Sequence, residues 1–446
     1  MSAEVAKLEP LSGWGNATKS WCEARAGDAF GLQKTIQNKI EQPANTQGVC
    51  MRGMGRGYGD CATNGGGIVY RLQTEESGAF CVDAGRNSMI VPAGALLKDV
   101  VAAAAKSKMV VPVVPGTQQV SFGGMVAADI HGKNHHRAGS IGNWIQEITY
   151  IDGRGELRSA RPGEEAFLAI VGGMGLVGAI VSVEIKLQTT MGPYITQKSE
   201  QADTFSGVVD ALRQADEHEF SVAWVDLLDK KGRGSVLSGN WAEAGGWEKW
   251  EPTRSRLTTP KMPHNLINAA SVAAFNAAWW ARERRRHGER LVPMEQFFHP
   301  LDGIDLWNRV YGRRGFVQYQ FVVGEERLDV VDAVVHDLIK RRIGTPMVVL
   351  KRFGDHNGAH LSFPRRGWTL AVDIPAGVEN LAHILWRYDD WVAEAGGAVY
   401  LAKDSCLQPT HLASMYPDLP RWQKIKKELD PQGVFQSDLG RRLGLC

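Results

Sequence analysis

The sequence predicts an α+β fold built as two domains, residues 1–195 and 196–400, with a segment, 401–446, that returns to the first. Three observations lead there. Up to about residue 195, short strand-like and helical stretches follow one another around glycine-rich turns. Thereafter the composition shifts toward Trp, Arg and Asp, and strand-like runs recur between helical patterns. The final segment then returns, at Tyr400 to Ser405, to the pattern of a ligand contact seen in the first part. At 446 residues, the chain is long enough to bury two substantial cores.

In the first part, residues 29–40 carry Phe30, Leu32, Ile36 and Ile40 at helical spacing and should lay an apolar face on a sheet. A strand near 49–51 runs into Gly53, Gly55, Gly57 and Gly59. Glycine at every second position suits a loop pressed against a ligand, and the interleaved Arg52, Arg56, Tyr58 and Asp60 argue against a slack linker. Residues 88–114 read as strand, turn, helix (96–105) and strand (109–114), and 143–156 as a strand entering a hairpin at Asp152-Gly153. Gly173, Gly175 and Gly178 have the spacing of a dinucleotide fingerprint, which needs a strand before it and a helix after. Here a helix-like stretch (164–171) precedes and a strand-like one (179–187) follows. A nicotinamide-binding Rossmann domain is therefore rejected, and these glycines are read as another close approach of backbone to ligand.

In the second part, strand-like runs at 220–227, 315–323, 347–353 and 368–374 alternate with helices at 329–343 and 380–394, an antiparallel sheet covered by helices. Residues 263–287 form an Ala-rich helical pattern with Leu266, Ile267, Val272, Phe275, Trp279 and Trp280, ending in Arg282, Arg284, Arg285 and Arg286. Two readings stay open: an interfacial helix or lid over a lipid-phosphate ligand, or a solvated helix with a charged end. Beyond it come Tyr400 to Ser405, a helix at 419–429 and Asp430-Pro431-Gln432-Gly433-Val434-Phe435, with a strand and helix expected to pack on the first domain.

A formal net charge of +2 argues against a nucleic-acid partner. Six cysteines without a C-x-x-C pair fit a reducing compartment better than a disulfide framework. Met1 to Lys7 lack a secretory pattern, and no run of about 18 apolar residues occurs. The expectation is a protein without a signal peptide, cytoplasmic or peripheral at the plasma membrane, with the periplasmic face left open.

The chemistry is placed at 112–136. A strand ends in Pro115-Gly116-Thr117, and Gly123-Gly124 lets backbone N–H groups approach a ligand as phosphate-binding nests do. Asp129-Ile130-His131-Gly132-Lys133-Asn134-His135-His136 then crowds imidazoles, an ammonium and a carboxamide into one short stretch. His131, His135 and His136 invite a zinc reading, but no cysteine lies nearby and Gly132 disfavours the helix that i,i+4 ligation needs, so no metal is expected.

Together, Arg52 to Asp60, Pro115 to Thr117, Gly123-Gly124, Asp129 to His136 and Asp430 to Phe435 resemble the vanillyl-alcohol-oxidase (PCMH) type of FAD oxidoreductase. Phe298 to Asp302, Gln318 to Phe321, Ala402 to Ser405 and Ser437 to Leu443 are similar to the branch of that family that oxidises the ribose 2-hydroxyl of decaprenylphosphoryl-β-D-ribose. The resemblance implies that FAD is wrapped by Gly53, Met54, Gly55, Arg56, Gly57, Tyr58, Gly59, Asp60 and Cys61, by Gly116, Ser121, Phe122, Gly123 and Gly124, and by Ala128, Asp129, Ile130 and His131. Ile180 is implied at the adenosine end and Tyr400 at the flavin. Many relatives attach the flavin through a histidine in the first glycine loop. Tyr58 stands there, which implies noncovalent FAD.

The resemblance further implies Lys403 as first candidate for the group that meets the 2-hydroxyl, with His131 second. It places Lys133, Trp224, Arg309, Gln318, Gln320, Lys351, Ala371 and Lys403 around the substrate. Ala371 replaces a cysteine frequent in the family and Phe298 a tyrosine, so a pocket thiol and a hydroxyl are missing while the alcohol chemistry is kept. The implied partners are a polyprenyl-phosphate sugar as substrate, a separately encoded NAD(P)H-dependent ketoreductase that completes the epimerisation, and a membrane surface. The nearest alternative is a soluble sugar, alditol or lactone oxidase of the same fold. A nonenzymatic membrane-surface protein leaves the glycine loops without a role.

Overall fold

A computed structural model describes residues 8–42, 47–73, 80–252, 257–285 and 288–446. The stretch Met1 to Lys7, and Arg286 and His287 at the end of the basic run, lie outside the described residues. The architecture is α+β. A four-stranded mixed sheet opens the chain, with Leu8–Leu11, Ser20–Gly27, Gly67–Leu72 and Gln47–Met51 in that spatial order. Helix Ala29–Glu41 starts at Asp28, whose carboxylate accepts from the Gly31 amide at 2.8 Å. It buries Leu32 and Ile36 against Val49, Ile68, Tyr70 and Phe435. Phe30 departs from the expected face and is 61% exposed, with the Lys34 ammonium 4.3 Å from its ring centre. Two residues are 200° of helix, so Phe30 points away from the side that Leu32 buries.

A five-stranded antiparallel sheet follows, ordered Cys81–Asp83, Ser88–Pro92, Ala179–Lys186, Ile145–Ile151 and Leu157–Ala160. The strand expected over 109–114 stops at Val110, because Pro112 and Pro115 cannot donate to a ladder. Around Gly173 to Gly178 the order is helix Glu165–Ile170, then strand Ala179–Lys186, as expected. The glycines themselves are explained by packing. A Cβ at Gly173 would overlap the Ala169 carbonyl, and one at Gly178 would press on the Tyr150 ring.

The third sheet has eight antiparallel strands, ordered Glu289–Pro293, Tyr194–Ala202, Gly234–Trp241, Phe220–Val225, Val348–Phe353, Gly367–Pro375, Phe316–Val323 and Ala398–Val399. Its two faces differ in character. Tyr319, Phe321, Val348, Leu350, Trp368, Leu370 and Val372 are buried on the side where helices Phe205–Gln214, Leu328–Arg341 and Leu381–Glu394 pack. Gln318, Gln320, Lys351, Thr369, Ala371 and Asp373 occupy the alternate positions and so share the other face. Helix Ala269–Arg284 buries only part of its circumference. Asn276 donates to Asp226 at 2.6 Å and Gln201 to the Trp280 carbonyl at 2.9 Å, while Phe275 is 47% exposed.

The last segment closes on the first sheet as expected. Asp430 accepts from the Val434 and Phe435 amides at 2.7 and 2.9 Å and from Lys426 at 3.0 Å. That turn sends Phe435 alongside Val49, which donates to the Val434 carbonyl at 2.7 Å and accepts from the Gln436 amide at 3.1 Å. Among the described residues, no helix is long and apolar enough to cross a membrane.

Candidate active site

The glycine loop owes its sequence first to what it touches. A Cβ at Gly53 would overlap the Ser121 hydroxyl and one at Gly59 the Asp404 carbonyl, while Gly55 has φ +61°. The alternate glycines thus let the loop meet, at once, two segments far away in sequence. The interleaved side chains serve the protein more than a ligand. Arg52 donates to the carbonyls of Ala62 and Ser12, both at 2.8 Å, and Arg56 lies 3.7 Å over the Trp14 ring. Asp60 takes a two-pronged contact from Arg442. Tyr58 bonds the Ala402 carbonyl through its amide at 2.9 Å and puts its ring between Phe316 and the Lys403 ammonium, which lies 3.7 Å from the ring centre.

The second glycine-bearing segment is partly spoken for. The amides of Phe122 and Gly123 donate to Ala95 and Ala93 at 2.8 Å, so of the expected pair Gly123-Gly124 the first is not a free donor. Gly116 is different, since a Cβ there would meet nothing within 4 Å. Asp129, at φ +40°, is completely buried and accepts from Ser140 (2.9 Å), Gly142 (2.9 Å), Asn357 (2.8 Å) and Ser362. That knot holds a strained residue in place and aims His131 two positions on.

The crowd of donors at 131–136 disperses. His135 accepts from the Gly354 amide at 3.1 Å, His136 bonds the His218 carbonyl at 2.9 Å, and Asn134 bonds Pro112 at 2.9 Å. His131 and Lys133 reach the cleft. The Lys133 ammonium contacts the Phe297 carbonyl and ring, and burial pushes it down to about 7. His131 packs edge-on to Phe353 at 4.7 Å and beside Tyr400 at 5.6 Å. Its Nε2 lies 3.0 Å from the Gln320 amide and its Nδ1 2.8 Å from Lys351 Nζ. Burial, then the Lys351 charge, hold the ring neutral, and burial brings Lys351 itself down to about 7. Gln320 thus meets one ring nitrogen and Lys351, which also donates to the Gly132 carbonyl, meets the other. Both ring nitrogens are then engaged.

On the polar sheet face, Gln318 stands opposite Asp373 and Gln320 opposite Ala371. Asp373 was missed in the sequence. It is 0% exposed, takes a bond from Gln318 on Oδ1, and has no hydrogen-bond partner for Oδ2. Burial raises its carboxyl, with the Lys403 charge partly offsetting the rise, and burial lowers the Lys403 ammonium, with Asp373 opposing. Lys403 sits in a turn fixed by bonds from Lys403 and Asp404 to the Tyr400 carbonyl, and Tyr400 is tied to Gln320 (2.9 Å) and Ala128 (2.8 Å). Among the described residues, Lys403 Nζ makes no hydrogen bond.

The remaining expected residues fall elsewhere. Trp224 shares the polar face but spends its indole N–H on the Pro346 carbonyl at 2.9 Å. Arg309 donates to Thr259 at 2.9 Å and lines a cavity of about 630 Å³ with Arg52, Met54 and Gly55, a different group from Lys403 and Lys351. Ile180 is buried opposite Tyr150. Phe298 packs on Phe220 at 4.9 Å.

The cleft fits a flavin dinucleotide: an open glycine at 116, two closely approached glycine loops, and at one end a half-buried ammonium and a buried carboxyl oxygen left without bonds. The family described as an FAD-binding domain matches residues 39–161, and the D-arabinono-1,4-lactone oxidase family matches residues 380–443. The chain is an FAD-dependent oxidoreductase with the vanillyl-alcohol-oxidase fold. It is 33% identical to the decaprenylphosphoryl-β-D-ribose oxidase of Mycolicibacterium smegmatis over 98% of this chain and 97% of that protein, and it belongs to that family. It is also 33% identical to an uncharacterised protein encoded in the mprA 5′ region of Streptomyces coelicolor, over 75% of this chain and 96% of that one.

Proposed function

We propose that this chain oxidises the ribose 2-hydroxyl of decaprenylphosphoryl-β-D-ribose to the 2-keto sugar, the first step of epimerisation to the arabinose donor of cell-wall arabinan. The observation that carries the reading is the pair of buried Asp373 and half-buried Lys403 beside the glycine loop, with hydrogen-bonding capacity unspent. Forming a ketone from a secondary alcohol removes a hydride from carbon and a proton from oxygen. Bound FAD supplies the acceptor for the hydride. Lys403 Nζ takes the hydroxyl proton, because burial favours its neutral amine and nothing else holds its lone pair. Asp373 faces that amine, and Gln318 orients Asp373. His131 positions Lys351 and Gln320 rather than acting as base, since both its nitrogens are engaged. Lys351 and Lys133 donate to sugar and phosphate oxygens in this reading, which their lowered, half-buried ammonium groups on the cleft support.

FAD is held noncovalently, because the loop presents Tyr58 and no histidine. Denaturation should release the yellow colour from the polypeptide, and colour retained on the chain contradicts this. Helix Ala269–Arg284 covers the polyprenyl tail and rests on membrane, a reading supported by its exposed Phe275 and neighbouring Leu266. The ketone passes to a separately encoded NAD(P)H-dependent reductase. A second reading, oxidation of a soluble alditol or lactone, has support in the match of residues 380–443, which include Lys403. Anaerobic mixing separates the two. Decaprenylphosphoryl ribose should bleach the flavin and ribitol or a lactone should not; the reverse pattern rejects the proposal.

A further inference from the structure

A cavity of about 680 Å³ lies apart from the cleft described above. Its rim is basic and its floor apolar: Arg313, Arg314, Arg341 and Arg342 line it together with Ile267 and Val378. Arg341 is neutralised by Asp337 at 2.7 Å. Among the described residues, the side chains of Arg313, Arg314 and Arg342 have no carboxylate, acceptor or ring as partner. Elsewhere on the surface Arg158, Arg233, Arg327 and Arg366 are all ion-paired. The formal charge of the whole chain is only +2, so three unneutralised guanidinium groups around one hollow are a local excess.

Two further features fit an anion. Asn268, the cap of helix Ala269–Arg284, lines the cavity and satisfies the amides of Ala270 and Ser271, so the helix end contributes its positive field rather than free donors. Tyr311, also in the lining, is 1% exposed, and its hydroxyl lies near Thr345 without a well-formed hydrogen bond. The same ring separates the cavity from the reaction centre. Tyr311 stacks on Phe316 at 4.2 Å, and Phe316 meets Tyr58 edge-on at 5.5 Å, so a row of aromatics stands between this hollow and Lys403.

We propose that the cavity is a second anion site, for a phosphate ester borne on an apolar chain. Guanidinium forks match phosphate oxygens two at a time, and the apolar floor receives the first carbons of the chain, which a bare anion lacks. Two sources share this chemistry, the headgroup of an anionic phospholipid and a soluble alkyl phosphate. The proposal does not rest on which alcohol the enzyme oxidises.

The test is the FAD-loaded full chain against the triple variant Arg313→Ser, Arg314→Ser and Arg342→Gly, all exposed positions, with flavin content and melting temperature as folding controls. The probes are octyl phosphate, inorganic phosphate, and vesicles of phosphatidylcholine with or without phosphatidylglycerol. Octyl phosphate should bind the unaltered chain about tenfold or more tighter than inorganic phosphate, and the variant should lose that margin. Phosphatidylglycerol-dependent sedimentation lost in the variant assigns the site to a membrane headgroup; loss confined to octyl phosphate assigns it to a soluble ester. Binding within about twofold in chain and variant, or no preference for octyl over inorganic phosphate, overturns the proposal.

Discussion

Lys403 and Asp373 are each forced away from their ordinary ionisation by burial, in opposite senses, and each is the other's compensating charge. Asp373→Asn removes the carboxylate that favours the ammonium. Lys403 should then lose its proton more readily, and the acidic limb of the rate of flavin reduction should move to lower pH. An unmoved limb in rapid-mixing measurements across pH would show that Asp373 does not act on Lys403. Lys403 was legible through its resemblance. Asp373 was not, because the strand Gly367–Pro375 reads as apolar and one carboxylate in it looks incidental. The signal was its phase: Asp373, Ala371 and Thr369 alternate with Trp368, Leu370 and Val372, and they pair with the phase of Gln318 and Gln320. The crowd at 131–136 misled for a related reason. Spacing shows that donors are close along the chain, not that Asn134, His135 and His136 turn away to backbone partners.

At the scale of elements, the short helix Asp438–Arg442 acts as a clasp. Arg442 bonds Asp60 on the glycine loop at 2.8 and 2.9 Å, and Asp404, the neighbour of Lys403, at 2.8 Å. Arg442→Ala leaves two largely buried carboxylates facing each other without their counter-charge, at a cost of about 3–5 kcal/mol. Denaturant unfolding should report that loss together with weakened FAD retention; a loss below about 1 kcal/mol would make the clasp equivalent to a surface ion pair. The glycines of the loop and the helix Leu419–Leu429 could be read in the sequence because turn chemistry and periodicity are local. The clasp could not, since it joins positions 60, 404 and 442.

For the whole molecule, the decisive feature is a large sheet with one apolar and one polar face, the polar side carrying the groups that meet the first domain's loops. The sequence indicated the antiparallel sheet but missed strands Tyr194–Ala202 and Gly234–Trp241, whose polar alternation is what a solvent-facing strand would also show. Over the edge of the polar face lies helix Ala269–Arg284. Phe275→Ser with Trp279→Ser should raise the KM for decaprenylphosphoryl ribose by roughly tenfold through lost apolar contact, and leave turnover of a short-chain ribosyl phosphate unchanged. An equal effect on both substrates would place the helix outside the tail's path.

The central claim is that Lys403 receives the hydroxyl proton. Anaerobic single-turnover flavin reduction by decaprenylphosphoryl ribose, compared between the unaltered enzyme and Lys403→Ala at equal FAD loading, tests it most directly. The variant should show a fall of about 10²–10⁴-fold, with the acidic limb of the pH profile abolished. Reduction at a near-unaltered rate, with that limb in place, would contradict it.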